Sequence, residues 1–329
     1  MKTRIAIAAL VAAATCIAAV PQADAAKTIR LGHIRDTNHP THVAALKFQE
    51  VVKAESKGAF EVKVYPNSQL GGPKEMFVQM QTGDLEMVYG GINTFAWIKG
   101  GEAFEITAIP FLFRDYAHMK ASLNSDFFNP IIADAEKATS IKIVAMNGNT
   151  APRGLSTRDR AVKSAADFKG LKIRTAASPT VLRAMKTLGA MPQQIPFAEL
   201  YMALKTGVVD AQENGASVVF SKSLFEVQKY YVQTDYIRDM ETFYMAMDTW
   251  NGLSGADRAM LKKAANIAGD YETKKLGEVM AGVYDKLGKK LTVIQPDLAS
   301  IRKALSGAFD EFEGKKWPKG LIAKISAVK

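Results

Sequence analysis

Residues 28–34 read Thr-Ile-Arg-Leu-Gly-His-Ile, and their alternation of apolar and polar side chains predicts a half-buried β-strand. A helical stripe of apolar residues follows Pro40, and residues 60–65 alternate as a second strand. Pro73 opens another predicted helix, and residues 85–89 are predicted as a third strand. The order β-α-β-α-β is typical of an α/β domain whose strands are largely parallel.

The same order of elements returns in the second half of the chain. Strands are predicted at residues 171–175 and 191–195, and helices at residues 179–188 and 198–206. An extended segment, residues 208–214, follows. The sequence therefore predicts a second α/β domain of similar plan.

An internal match links the two halves. The segments Glu75–Gly83 and Glu199–Gly207 share Glu, an aromatic residue, Thr and Gly at the same offsets, and each continues to a further glycine, Gly91 or Gly215. Chance similarity between two amphipathic helices is the alternative. If the segments are related, each half directs a strand end at a shared space, and ligands of open α/β sheets bind at the carboxyl ends of strands. This pattern predicts a cleft between two lobes.

A very long helix is predicted near the C-terminus. Apolar residues recur every three or four positions through residues 257–288, which contain no proline. At 1.5 Å per residue this is roughly 45–50 Å, longer than one such domain is wide, so the helix is expected to cross both lobes. Gly269, Gly277 and Gly282 each weaken it by up to ~1 kcal/mol, which leaves open a continuous or an interrupted helix.

The N-terminus has the pattern of an export signal. Residues 1–4 are cationic, residues 5–20 are apolar, and the triplet Ala23-Asp24-Ala25 fits a cleavage site, so cleavage is expected after Ala25. A retained anchor helix is the alternative. Cys16, the one cysteine of the chain, would leave with the signal, and the mature protein would have neither a disulfide nor a thiol nucleophile.

The composition indicates a globular protein, and its charge leaves two classes of partner to consider. Of its 329 residues 48% are hydrophobic and 23% charged, which excludes a disordered chain. The net charge of +10 suits nucleic acid or an anionic small solute. Because the lysines are scattered without an arginine-rich stripe, and because export is expected, we expect no nucleic-acid partner.

Sequence motifs for catalysis and for cofactors are missing. The chain lacks G-x-S-x-G, H-E-x-x-H, Walker and G-x-G-x-x-G patterns, so neither an enzyme nor a cofactor is expected. His39 and His42 could share a helix face. No third ligand is signalled, and we favour a role at the helix start over a metal site.

Arginines after predicted strands are the strongest candidates for binding. Arg174 ends the strand Leu-Lys-Ile-Arg, where the cleft is expected, and a guanidinium matches a carboxylate through two parallel hydrogen bonds. The cost of burying it is offset by an anion, which could belong to a ligand or to a protein Asp or Glu. Arg153 follows another strand end. Asn214 could instead form a turn, and Phe197 could belong to the core or to a cleft wall.

At these residues the chain resembles a known family, the extracytoplasmic solute receptors of tripartite ATP-independent periplasmic (TRAP) transporters, of the DctP type. The resemblance covers essentially the whole mature chain. The matching stretches, in chain order, are Val64–Gly72, Pro110–Arg114, Phe168–Arg174, Glu199–Leu204 and Gly207–Asn214.

The resemblance implies an α/β, two-lobed periplasmic-binding-protein fold, with a mixed, mostly parallel sheet in each lobe and a long helix spanning both. We expect one lobe to comprise residues 27–150 and 239–278, and the other residues 151–238 and 279–329. Family members close around an organic acid in the periplasm and deliver it to a sodium-driven permease with a small and a large membrane subunit. A monomer is expected.

The resemblance also implies roles for individual residues. Arg174 matches the arginine that clamps the ligand carboxylate, and Arg153 resembles a frequent second basic contact. Asn214 and Phe197 match positions that often line the pocket. Asn93, Thr94 and His33 are the contacts expected from the first lobe.

These predictions describe a receptor that closes by a hinge and performs no chemistry. Two alternatives stay open, namely a periplasmic enzyme acting on an organic acid in the same cleft, and a receptor for another transporter or a sensor. The ligand could be a short keto or hydroxy acid, a dicarboxylate, a uronate or an aromatic acid. Sialic acid is not expected, because residues 91–94 replace the acidic group of the relatives that bind it.

Overall fold

The computed structural model describes residues 26–329, so the predicted signal, residues 1–25, and its cleavage site lie outside the described residues. The strands are β1 (Lys27–Gly32), β2 (Phe60–Tyr65), β3 (Met87–Gly91), β4 (Ile141–Asn149), β5 (Arg153–Thr157), β6 (Lys172–Thr175), β7 (Met191–Gln194), β8 (Ala211–Gly215), β9 (Tyr230–Ile237), β10 (Met240–Ala246) and β11 (Thr292–Ile294). The helices are α1 (Pro40–Glu55), α2 (Pro73–Thr82), α3 (Tyr116–Leu123), α4 (Asn129–Thr139), α5 (Pro179–Thr187), α6 (Leu200–Thr206), α7 (Ala216–Ser221), α8 (Met247–Asn251), α9 (Gly255–Gly288), α10 (Leu298–Ala304) and α11 (Leu321–Ala327).

The strands form two sheets, and each sheet is the centre of one lobe. The first lobe contains the five-stranded sheet β2-β1-β3-β10-β4, and the second contains the six-stranded sheet β11-β9-β5-β8-β6-β7. In the first sheet β10 lies antiparallel between β3 and β4. In the second sheet β5 lies antiparallel between β8 and β9, whereas β6 pairs in parallel with β7 and β8. The predicted fold, two mixed and mostly parallel sheets, is confirmed.

The internal match corresponds to a structural repeat. Helix α2 ends at Gly83 with φ 82°, and α6 ends at Gly207 with φ 79°. Both values are left-handed, a conformation that glycine adopts without the steric cost of a Cβ. Each helix leads into a strand, β3 or β8, that ends at the glycine seen in the sequence, Gly91 or Gly215.

Helix α1 shows how the sequence pattern builds the first lobe. Pro40 occupies the first turn, and the His39 side chain caps the helix by accepting a hydrogen bond from the Thr41 amide. The apolar stripe faces the sheet, where Phe48 is fully buried with its ring 4.8 Å from that of Phe243. Burial of this stripe, rather than helix propensity, holds the helix in place.

Helix α9 is continuous over 34 residues and joins the cores of the two lobes. Its first half buries Leu261 and Ala265 against the five-stranded sheet, and its second half buries Val283 and Leu287 in the core of the second lobe. The helix is roughly 50 Å long. The prediction that it spans both lobes is confirmed, and of the two forms left open the structure has the continuous one.

Gly269 is required by packing. The Asn147 side chain lies against it and donates to the Asn266 carbonyl at 2.8 Å and to Asp270 Oδ1 at 3.0 Å, and a Cβ on Gly269 would overlap the Asn147 amide. We expect Gly269→Ala to lower the free energy of unfolding by about 1–3 kcal/mol. Gly277→Ala, in open space on the same helix, should raise it by up to ~1 kcal/mol. Urea unfolding measures both; equal stability of the two variants would contradict this role.

The sequence patterns were least informative near the C-terminus. The sequence pattern of residues 296–312 is that of a single helix, but α10 ends at Ala304, and Gly307 with φ 71° separates it from a short 3-10 turn at Asp310–Phe312. Beyond that turn, Nε2 of His118 lies 2.9 Å from the Ile325 carbonyl oxygen. Helix α11 therefore contacts a residue that the predicted lobe boundaries assign to the other lobe. No helix in residues 26–329 is both long and apolar enough to cross a membrane.

Candidate functional site

A cavity of about 550 Å³ lies between the two sheets. Its lining includes the end of β3 (Val88–Gly91), Arg174 near the end of β6, and Glu213 and Asn214 in β8. Carboxyl ends of parallel strands from both lobes thus meet at one space, the position at which α/β sheets bind ligands.

The structure brings most of the predicted site residues together at this cavity. Six of the seven predicted residues line it, namely Arg174, Arg153, Asn214, Phe197, Asn93 and Thr94. His33 is not among the lining residues; it lies behind Arg35, whose amide donates to His33 Nδ1 at 3.2 Å. His33 Nε2 is 3.0 Å from Nδ1 of His42, and burial, with His42 and Arg35 nearby, lowers the pKa of His33 to about 3. This histidine is therefore neutral and supports the backbone of Arg35.

Arg174 is a buried cation without a protein counterion. Its residue is 3% exposed, and its Nε donates to the Ile195 carbonyl at 2.8 Å. Throughout residues 26–329 no carboxylate lies within salt-bridge distance of it. Burial lowers the pKa of Arg174 to about 10; Glu213 opposes this shift, and Arg153 and Arg35 add to it. The guanidinium is still charged at neutral pH, and its uncompensated burial costs free energy that an anionic ligand would recover.

Phe197 provides an aromatic wall where cations of both lobes meet. It lies in a short 3-10 helix after β7. The guanidinium carbons of Arg35 and Arg174 are 5.5 and 5.9 Å from its ring centroid, and Lys222 Nζ is 4.8 Å from it. These distances permit cation–π attraction. The ring therefore helps to hold several positive charges close together around the cavity.

Arg153 lines the cavity, but a protein carboxylate already balances its charge. Its Nε and Nη2 donate to the two carboxylate oxygens of Glu213 at 2.6 and 2.7 Å, and Nη2 also donates to the Glu213 carbonyl at 2.8 Å. The Tyr236 hydroxyl donates to Glu213 at 2.8 Å. Although burial acts in the opposite direction, the attraction of Glu213 raises the pKa of Arg153 above its usual value. The sequence left open whether the anion beside such a buried arginine belongs to a ligand or to a protein Asp or Glu. Arg153 has a protein carboxylate as its partner, whereas Arg174 has none among residues 26–329.

Charged residues of the first lobe, which the sequence analysis missed, form the opposite wall. Arg35 donates through Nε and Nη2 to a single oxygen of Glu241, at 3.3 and 3.2 Å. Asp239 accepts hydrogen bonds from the Met240 amide at 2.9 Å and the Asn93 amide at 3.4 Å. Burial and the nearby Glu241 raise the pKa of Asp239 to about 6. Asp239 immediately precedes β10, and Glu241 is near the start of that strand. Because β10 runs antiparallel to β3, the start of β10 lies beside the carboxyl end of β3.

The predicted polar contacts are positioned by local hydrogen bonds. Asn93 and Thr94 lie in the 3-10 helix that follows β3, and the Thr94 hydroxyl donates to the Gly91 carbonyl at 2.6 Å. Asn214 donates through Nδ2 to Gln212 Oε1 at 2.7 Å. The amide and hydroxyl groups are thereby held at the cavity wall.

The loop between β1 and α1 touches the second lobe at one side of the cleft. His39 Nε2 lies 3.3 Å from the Ser217 hydroxyl, and Lys222 Nζ lies 3.6 Å from Asp36 Oδ1. In the described part of the chain no group of three or more His, Cys, Asp or Glu residues is placed to hold a metal ion. The position of His39 at the helix start agrees with the capping role favoured from the sequence.

Comparisons with known proteins connect this geometry to a family. The sequence model of DctP, described as "Bacterial extracellular solute-binding protein, family 7", matches residues 31–315. The chain is similar to the 2,3-diketo-L-gulonate-binding periplasmic protein YiaO of Escherichia coli, at 33% identity over 86% of this chain and 85% of that protein.

Solved structures show the same similarity. A TRAP periplasmic solute-binding protein of Polaromonas, bound to D-erythronate, has a TM-score of 0.86 at 28% identity, with 92% of this chain and 99% of that chain covered. A TRAP periplasmic solute-binding protein of Haemophilus influenzae, with bound L-gulonate, has a TM-score of 0.85 at 28% identity, with 92% and 100% covered. The two-lobed fold and the predicted family resemblance are thus confirmed.

Proposed function

Because this chain belongs to the DctP family of bacterial extracellular solute-binding proteins, family 7, we propose that it is a periplasmic receptor for an organic acid. It binds the acid in the cleft between its lobes and delivers it to a TRAP-type permease. D-erythronate and L-gulonate, the ligands bound in two of its structural relatives, are carboxylates and support this class of ligand.

The observation that carries the proposal is the state of Arg174. It is 3% exposed and lines the cavity, and among residues 26–329 the neutral Ile195 carbonyl is its only hydrogen-bond partner. A ligand carboxylate can accept two parallel hydrogen bonds from its remaining N–H groups. Around it we propose Arg153, Phe197 and Asn214 as contacts from the second lobe. Arg153, whose charge is balanced by Glu213, would act as a fixed hydrogen-bond donor.

From the first lobe we propose Asn93 and Thr94 as ligand contacts, and Arg35 in the place that the sequence analysis gave to His33. Arg35 lines the cavity and lies over the Phe197 ring, whereas His33 is one layer behind it. Ligand contacts would then come from both lobes. A ligand held in this way stabilises the closed arrangement over an open one, because only the closed form supplies both sets of contacts.

Hinge closure is supported by the connections between the lobes. The chain crosses from one sheet to the other between β4 and β5 and again between β9 and β10, and α9 passes along both. We propose the lobes predicted from the sequence, residues 27–150 with 239–278 and residues 151–238 with 279–329. The α11 contact with His118 would act as a further link between them.

The remaining parts of the proposal are supported by the family. We propose export with cleavage after Ala25, a monomeric receptor, and a partner permease with small and large membrane subunits. The relatives are described as periplasmic and as belonging to TRAP systems, which supports these assignments. Uptake of radiolabelled acid into proteoliposomes with the permease, with and without the receptor, tests the partner; receptor-independent uptake would favour another transporter or a sensor.

A thermal-shift screen of the mature protein over a library of carboxylic acids tests the function itself. We expect at least one acid to raise Tm in a concentration-dependent manner, with no effect of the matched primary amides, since binding to the folded state stabilises it by mass action. The enzyme alternative predicts that the acid is consumed; chromatography of each mixture after incubation should recover it unchanged. A library without any stabilising acid would contradict the proposal.

A further inference from the structure

We propose that the cleft selects monocarboxylic acids that carry several hydroxyl groups and discriminates against dicarboxylic acids. This inference rests on the proposed function, because it concerns which organic acid the same cleft accepts. It is carried by the pairing of the charged groups at the cavity and by polar atoms of its first-lobe wall that have no hydrogen-bond partner within the described part of the chain.

The first argument is the charge balance inside the cleft. The cavity is lined by three guanidiniums and three carboxylates at buried or nearly buried positions, namely Arg35, Arg153, Arg174, Glu213, Asp239 and Glu241. Arg153 is paired with Glu213 and Arg35 with Glu241. Among these buried guanidiniums Arg174 alone is left to bind an anion. The exposed Lys74 and Glu75 also line the cavity and offset each other in charge, so the lining compensates one ligand carboxylate.

A second ligand carboxylate would meet a wall of the wrong charge. Asp239 has no cation within salt-bridge distance in the described structure, and Glu241 directs only one of its two oxygens to Arg35. Both acids are almost fully buried, at 4% and 1% exposure, so their repulsion of another carboxylate is poorly screened. The dicarboxylate would therefore have to bind with one end near uncompensated negative charge.

The same wall has free positions for hydroxyl groups. Glu241 Oε2 is a buried acceptor, and Trp97 Nε1 a buried donor, that have no hydrogen-bond partner among residues 26–329, and both residues line the cavity. Asp239 accepts both of its hydrogen bonds through Oδ1, which leaves Oδ2 available to accept a hydrogen bond from a ligand hydroxyl. A hydroxyl both donates and accepts, so a chain bearing several hydroxyls can satisfy this mixture, whereas a carboxylate can only accept.

The positions of these groups set the orientation of the ligand. Arg174 lies in β6 of the second lobe, whereas Glu241 lies in β10 and Trp97 in the 3-10 helix after β3, both in the first lobe. The carboxylate end therefore binds the second lobe, and the hydroxylated end binds the first. Leaving buried polar atoms unpaired costs free energy, so acids without hydroxyls should bind poorly.

Isothermal titration calorimetry of the mature protein with matched acids tests the inference. Stereoisomeric aldonates (gluconate, galactonate and gulonate) are compared with glucarate, in which a second carboxylate replaces the terminal hydroxymethyl group, and with hexanoate, which lacks hydroxyls. We expect the best aldonate to bind at least about tenfold more tightly than glucarate. It should bind about 100-fold or more tightly than hexanoate.

A variant of the first-lobe wall gives a second, independent measurement. Glu241→Gln removes a carboxylate and frees Arg35 to pair with a ligand, so the preference for the aldonate over glucarate should shrink by about tenfold or more. Glu61→Gln, which removes an exposed acid from β2 of the same sheet, should leave the preference unchanged. Circular dichroism checks that both variants are folded.

The outcomes separate this inference from the proposed function. If glucarate or hexanoate binds as tightly as every aldonate, the proposed selectivity is wrong, although the cleft still binds organic acids. An unchanged preference in the folded Glu241→Gln variant would also overturn it. If no acid of this panel or of the wider library binds the folded protein, the proposed function fails, and this inference fails with it.

Discussion

Replacing Arg174 with alanine is expected to weaken binding of the best acid in the screen by about 100-fold or more. The variant loses the unpaired guanidinium and with it the charge-assisted hydrogen bonds to the carboxylate. Arg174→Lys keeps the positive charge without the planar fork, and an intermediate loss of about tenfold or more is expected. Calorimetric titration of the wild type and both variants with the same acid measures these effects.

The unliganded Arg174→Ala protein provides a readout that a merely structural residue would not give. Because the wild-type guanidinium is buried without a counterion, its removal should leave the Tm of the empty protein unchanged or raise it. A residue needed for folding would lower Tm together with affinity. Lys172→Ala, which removes an exposed cation from the same strand, serves as the matched control with unchanged affinity. Affinity within a few-fold of the wild type in Arg174→Ala would contradict the assigned role.

The fold was largely predictable because its signals are local. Alternating strands, proline-started helices and glycine-ended helices each depend on a few neighbouring residues, and the match between Glu75–Gly83 and Glu199–Gly207 identified the repeat. The C-terminal region was predicted less well, because the break at Gly307 and the docking of α11 depend on packing against distant parts of the chain.

The candidate site was predictable only where position along a strand was sufficient. Arg174 and Arg153 look alike in the sequence, since each is found where a strand meets the expected cleft. Their difference arises from strand pairing, which places Glu213 opposite Leu155 and within reach of Arg153. This strand register cannot be predicted from a local sequence pattern, because it pairs residues that are far apart in the chain. The pairing of Arg35 with Glu241 joins residues 206 positions apart and was missed for the same reason.

The ion pair between Arg153 and Glu213 is expected to have the largest effect on stability. The Glu213 side chain is completely buried and that of Arg153 is 12% exposed, so Arg153→Met leaves a buried carboxylate without its cation. Breaking a buried pair in this way costs about 3–5 kcal/mol, and we expect the free energy of unfolding in urea at neutral pH to fall by that amount. Acid binding should weaken as well, because the unbalanced Glu213 would repel the ligand carboxylate beside Arg174.

The double variant Arg153→Met, Glu213→Gln separates charge from packing. The glutamine amide oxygen can still accept the hydrogen bond from Tyr236, and no uncompensated charge is left. We therefore expect the double variant to recover most of the lost stability, since replacing a whole buried pair costs less than breaking it. If the double variant unfolds as easily as the single one, the guanidinium stabilises the lobe through its packing, and the charge balance assigned to this part of the cleft is wrong.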